Sequence, residues 1–240
     1  MNTSNMFLHT HPYEPFLFQD ATKLIVGTLP PPRFTTGDLK EGDVNFCYGS
    51  RDGQLWPILD RIFELNLDFE STEKAIRQRM DFLKERKIGI CDIVQSAERS
   101  KIDASDLGME NILLRDMLGY IKRYPKVDTL LFTGGNSKNG PEYFFRKYLK
   151  EHGISQEPVS NEVPRVHQFV VPCANLETSS KTIVKSKIKK ERIIKTVSLT
   201  APSGAANRAV GSLEKYKMMK DKNPEFNTID FRVLQYKEFF

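Results

Sequence analysis

Two apolar runs, Lys23-Leu24-Ile25-Val26 and Ile193-Ile194-Lys195-Thr196-Val197-Ser198, each break into a turn-forming loop, and about 170 residues separate the two loops. The first loop is Gly27-Thr28-Leu29-Pro30-Pro31-Pro32, and it leads on to the segment from Phe46 to Trp56. The second is Leu199-Thr200-Ala201-Pro202-Ser203-Gly204-Ala205-Ala206-Asn207-Arg208. In an open α/β sheet, ligands bind beyond the carboxyl ends of the strands. Both loops are therefore expected to reach one site from opposite ends of the chain.

The residues between the loops alternate in period. Ile88 to Val94, Val127 to Phe132, His167 to Val171 and Val197 to Leu199 read as strands after the first one at Lys23–Gly27. Leu55–Phe63, Thr72–Glu85, Asp106–Arg123 and Pro141–His152 carry apolar residues at helical spacing, and Gly204–Met219 begins another helix. Thr28 to Asp52 is too rich in Pro and Gly for a long helix. Gln156 to Arg165 reads as a surface insertion, and the aromatic, basic tail from Asp230 to Phe240 packs on the body. Strands alternating with helices predict an α/β fold with a short central parallel sheet and helices on both faces. The length suits one domain over residues 1–240, with a C-terminal extension from about residue 220.

Bulk properties exclude several classes. Cys47, Cys91 and Cys173 form no CxxC pair, so neither a zinc ribbon nor an iron–sulfur cluster is expected. The odd cysteine count and the N-terminus Met1-Asn2-Thr3-Ser4-Asn5-Met6, which has no basic and apolar leader, predict a reducing cytoplasm. No segment approaches the ~18–20 apolar residues that span a bilayer. His9, His11, His152 and His167 show no metal spacing, and His9 and His11 are expected near a mobile terminus. Neither a metal nor another cofactor is expected. The net charge is +5, and the basic residues concentrate at Lys181, Lys185, Lys187, Lys189, Lys190, Arg192 and Lys195. Such a cluster either neutralises DNA phosphates or forms a solvated face.

Several side chains could carry chemistry. Phe46 and Tyr48 lie in a Gly-rich loop, where an aromatic either stacks on an extruded base or packs in the core. Trp56, at a helix start, is expected in the core. Asp52 is the leading acid/base candidate, because a carboxylate can orient water and steady a sugar cation; Asp43 and Asn45 compete with it. In the second loop, small residues allow close approach of a nucleic-acid strand, Ser203 and Gly204 can meet a phosphate, and Asn207 and Arg208 follow. An ordinary strand-to-helix turn has the same composition. Asp92 is either a functional carboxylate or one bonded to nearby amides. Asn136, after Thr133-Gly134-Gly135, either reads a base edge or shapes its loop.

Taken together, Gly27-Thr28-Leu29-Pro30, the Phe46-to-Trp56 segment, Gly89-Ile90-Cys91-Asp92-Ile93-Val94, Leu131-Phe132-Thr133-Gly134 and Pro202-Ser203-Gly204 resemble the uracil-DNA glycosylase superfamily. The mismatch-specific and hypoxanthine-type prokaryotic branch is the nearest. The resemblance covers about Lys23 to Arg208. It implies a three-layer α/β/α fold and metal-free hydrolysis of a base–sugar bond after base flipping. It also implies a base pocket at Gly27, Thr28, Leu29, Phe46, Tyr48 and Asn136. Catalysis would fall to Asp52 or Asn45, with DNA held by Ser203, Gly204, Asn207, Arg208, Lys187 and Lys190. Two positions depart from that pattern. Leu29 stands where relatives often carry a water-orienting Asn or Asp, and Ala201 where uracil-type sites often carry His.

The expected function is that of a monomeric, monofunctional DNA glycosylase. It would act in DNA repair, or in defence against phage whose DNA carries modified bases. The alternatives are a catalytically silent nucleic-acid-binding module on the same fold, and a small-molecule N-glycoside hydrolase.

Overall fold

The computed structural model describes residues 6–103, 105–172 and 191–240. The chain runs β1 (Phe7–Thr10), β2 (Lys23–Val26), α1 (Pro32–Thr36), α2 (Leu55–Phe63), α3 (Glu73–Glu85) and β3 (Ile88–Ile90). It continues through β4 (Val94–Arg99), β5 (Met109–Leu114), α4 (Met117–Arg123), β6 (Thr129–Phe132), α5 (Pro141–Glu151) and β7 (Glu157–Ser160). It closes with β8 (Arg165–Pro172), β9 (Glu191–Ser198), α6 (Asn207–Gly211), α7 (Glu214–Lys222) and α8 (Thr228–Lys237).

A six-stranded sheet in the order β3-β2-β6-β9-β8-β7 forms the centre. The first four strands are mutually parallel, while β8 runs antiparallel to β9 and β7 antiparallel to β8. The side-chain period of two sorts each parallel strand between two cores. Leu24, Val26, Leu130 and Phe132 pack with Leu118 and Ile121 of α4 and with Phe144 and Phe145 of α5. Ile25, Leu131 and Val197 face the other way, against Leu59 of α2, Leu83 of α3 and Tyr236 of α8. Helices on both faces make three layers.

Local chemistry sets the helix starts. Thr72 caps α3 by accepting the Ala75 amide, and Asp116 caps α4 by accepting that of Gly119. Asn227 and Asp230 form a reciprocal capping box on α8. Trp56 is fully buried and donates its indole N–H to the Cys47 carbonyl at 2.9 Å.

Four sequence expectations change. Asp106–Arg123 is not one helix: a 3-10 turn at Asp106–Gly108 leads into β5, and only Met117–Arg123 is α-helical. The apolar residues there are shared by an edge strand and a short helix, and Asp116 marks the break. The N-terminal region is not loose. β1 pairs with β4, and β4 with β5, in a separate three-stranded antiparallel sheet, which buries His9 and His11. Residues in 156–165 form β7, an edge strand paired with β8 rather than an insertion. The Gly204–Met219 stretch divides into α6 and α7.

Candidate active site

The two loops meet. Gly53 and Ser203 form an isolated antiparallel bridge, and the Gln54 amide donates to the Pro202 carbonyl at 2.9 Å. Beneath this junction lies a cavity of about 470 Å³, opening at the carboxyl ends of β2, β3 and β6.

Asp92 forms its floor. The residue is 6 % exposed, and its carboxylate accepts from the Gly27 amide at 2.6 Å, the Tyr48 hydroxyl at 2.7 Å and His11 Nε2 at 2.9 Å. His11 Nδ1 accepts the Tyr13 amide at 3.1 Å, so bonding assigns the ring proton to Nε2. The Tyr48 hydroxyl also lies 3.2 Å from Thr133 Oγ1. Burial, reinforced by the Asp92 charge, holds the Tyr48 phenol pKa well above its ordinary value. Gly27 is required here: a Cβ would fall 2.3 Å from the Tyr48 hydroxyl oxygen and 2.8 Å from Asp92 Oδ1. Tyr48 itself takes a left-handed backbone, with φ of 58°.

A second carboxyl group stands in the wall. Asp106 accepts the Thr28 hydroxyl at 2.8 Å. Burial, with the Asp92 charge adding to it, raises the Asp106 pKa to about 6 against the opposing effects of Thr28 and Arg99. A carboxyl with these properties can hold and release a proton near neutral pH. Arg99 steadies the approach to it, donating to His9 Nδ1 at 2.8 Å and to the Ser105 carbonyl at 2.6 Å.

The predicted site residues divide. Gly27, Thr28, Leu29, Tyr48, Asp52, Ser203 and Gly204 all line the cavity. Asp52 sits at its rim, with a side chain 70 % exposed, and pairs with Arg33 at 3.2 Å. Asn45 lies outside the cavity on the surface, where it accepts the Tyr13 hydroxyl at 2.9 Å. Phe46 is buried in the α2/α3 core, edge-on to Phe16 and against Trp56, and does not line the cavity. Asp43 is fully buried and accepts two bonds from Arg33, at 2.7 and 2.8 Å, together with the Lys40 and Arg51 amides. Burial pushes its pKa up, but the Arg33 bonds and those amides outweigh it and bring the value to about 2.

Asn207 is engaged from behind by Thr228 at 3.0 Å and Arg232 at 2.9 Å. Arg208 is exposed, and Asn136 borders a neighbouring cavity. Lys187 and Lys190 lie outside the described residues. From the same basic cluster, Arg192 donates to the Ile121 and Pro125 carbonyls at the end of α4.

Sequence reasoning missed Asp106 as a site residue and the burial of His11. Asp106 stood inside an apparent helix, and His11 becomes part of the site only once β1 pairs with β4. Among the described residues, no group of three or more His, Cys, Asp or Glu could hold a metal ion, and no helix is long and apolar enough to cross a membrane.

Fold and site define a mixed α/β protein with a mostly parallel sheet flanked by helices and a polar-floored cavity at the strand ends. No protein-family model and no curated protein matches the chain. Among solved structures, it is similar to the solution NMR structure of a candidate uracil DNA glycosylase from Methanosarcina acetivorans, at 14 % identity and a TM-score of 0.47. The similarity covers 94 % of this chain and 98 % of that one.

Proposed function

We propose that this protein is a monofunctional DNA glycosylase that hydrolyses the N-glycosidic bond of a flipped, damaged or modified base. The observation that carries this reading is the bridged loop pair, which closes over one cavity lined by three carboxyl groups, Asp92 on the floor, Asp106 in the wall and Asp52 at the rim. The motif resemblance to the uracil-DNA glycosylase superfamily, in its mismatch-specific and hypoxanthine-type branch, supports it. Extruding the base costs a few kcal/mol of unstacking, which contacts inside the cavity must offset.

In this mechanism a water is held by Asp106. Its oxygen attacks C1′, the C1′–N bond breaks, the bonding pair leaves with the base nitrogen, and the water proton passes to the Asp106 carboxylate. Asp52 faces the same step from the rim and steadies the positive charge developing on the sugar. Asp92 keeps Tyr48 and Gly27 in place through the bonds described above. Ser203 and Gly204 meet the backbone at the mouth, and exposed Arg208 adds positive charge nearby. No lysine lines the cavity among the described residues, so no Schiff-base intermediate and no strand-cleavage step is assigned.

Base release from duplexes carrying uracil, hypoxanthine or modified cytosines tests the proposal. Intact abasic sites are expected; folded protein that releases no base from the panel rejects it. A second reading, a catalytically silent DNA-binding module, draws on Leu29 and Ala201, both of which line the cavity without a polar side chain. It predicts salt-sensitive DNA binding without release. Nucleoside turnover without DNA affinity would instead mark a small-molecule hydrolase.

A further inference from the structure

A second cavity, of about 520 Å³, lies across the Ala201 loop from the first, and Ala201 borders both. It sits beyond β6 and β9, between the Asn136–Ser137 loop, the start of β8 at Arg165, and Val210 of α6. Ser198 lines it. That residue is 5 % exposed, and its hydroxyl has no hydrogen-bond partner among the described residues. Arg165 Nε is likewise buried without a partner. Buried polar groups in native structures are nearly always satisfied, so these two point to a ligand or ordered water.

The Arg165 charge that borders this cavity is committed to a carboxylate. The Arg165 guanidinium pairs with Glu142 at 2.5 Å, and Arg146 stands 3.9 Å from the same carboxylate. A phosphate would find no uncommitted cation in Arg165. Val163, Leu199 and Val210 supply apolar walls, and the Ser198 hydroxyl, the Asn136 amide and Arg165 Nε supply polar groups. Apolar faces with a few polar groups suit a planar heteroaromatic ring, and unpaired bases are recognised in this way.

We infer that this second cavity takes the unpaired nucleobase next to the one held in the first, so that two neighbouring bases are splayed across the Ala201 loop. The inference rests on the DNA-binding part of the proposed function and not on catalysis. It makes the protein a reader of the base beside its target, through Ser198 and Asn136.

The test compares binding of two oligonucleotides of equal length and charge. One is a single-stranded thymidine decamer, and the other carries tetrahydrofuran spacers at alternate positions. Halving the number of bases accounts for about a twofold loss of affinity. Occupation of both cavities predicts a loss of about tenfold or more. Ser198→Val and Ala209→Phe, the latter on the cavity side of α6, should each shrink the difference to about twofold while leaving binding of the spacer oligomer unchanged. If Ser198→Val does not fold, Ala209→Phe decides. Equal affinities beyond the twofold factor in the parent protein, or an undiminished difference in the folded variants, overturn the inference. Absence of base release with the tenfold difference intact removes the glycosylase reading and leaves the second site standing. Failure to bind either oligomer overturns the inference and leaves the glycosylase reading to the duplex base-release assay.

Discussion

Arg232 of α8 donates through Nε to the carbonyl of Ala201 at 2.8 Å, from a position with no solvent exposure. Its other nitrogens reach the Ser203 carbonyl at 3.1 Å and Asn207 Oδ1 at 2.9 Å. Tyr236 and Gln235 of the same helix bind the carbonyl and the amide of Thr200. The C-terminal helix thus holds the second loop against the first. Arg232→Ala leaves four acceptors without this donor, the Thr228 carbonyl included, at a cost of about 2–4 kcal/mol. Denaturant melts should show that loss, together with weaker DNA binding; unchanged stability and binding would remove α8 from this role.

Asp106→Asn should lower base release about 100-fold or more, the usual size of a general-base contribution. Activity of the parent should rise with pH through about 6 as the Asp106 carboxyl ionises. Thr28→Ala removes a hydroxyl that favours the ionised form, so this acid limb should move to higher pH. Single-turnover pH profiles check both, and a limb that Thr28→Ala leaves in place contradicts the assignment.

Asp52→Ala should cost less, about tenfold or ~1.4 kcal/mol, because an exposed charge is screened by solvent and salt. A loss as large as that of Asp106→Asn would move water activation to Asp52.

Tyr48→Phe removes one of the two donors to Asp92 Oδ1 and a neighbour of Thr133, at a cost of about 1–2 kcal/mol. Thermal unfolding should record it. A gain in stability would show that the floor network is strained rather than supportive.

His9 gives stability a pH dependence. Burial first, then the Arg99 and His11 charges, lower its pKa from 6.5 to about 4. Between those values the unfolded chain binds more protons than the folded one, so this contribution to stability falls as pH falls from 6.5 to 4. Asp106 acts in the opposite direction, since its folded value is the higher one: its contribution is lost as pH rises from 3.8 to about 6. His9→Gln should therefore flatten the loss on acidification, and Asp106→Asn should steepen it. Unfolding midpoints measured from pH 7 to 4 separate the two effects.

The layers and the two loops were legible because they depend on local order. A strand such as Leu24-Ile25-Val26 must send its side chains to alternate faces, so its apolar residues require a cover on each side. Gly27 and the prolines after it mark a strand end wherever the chain goes next. β5 was hidden because only Arg115 and Asp116 separate Ile112, Leu113 and Leu114 from the apolar residues of α4, and only pairing with β4 makes the first group a strand. Asp43, Asp52, Asp92 and Asp106 are the same residue type in sequence. Tertiary structure alone made Asp43 an anchor for Arg33, Asp52 a rim charge, Asp92 a bonded floor and Asp106 a proton-holding wall. Burial and partners set the charge state of a carboxyl group, and residues distant in the chain supply both.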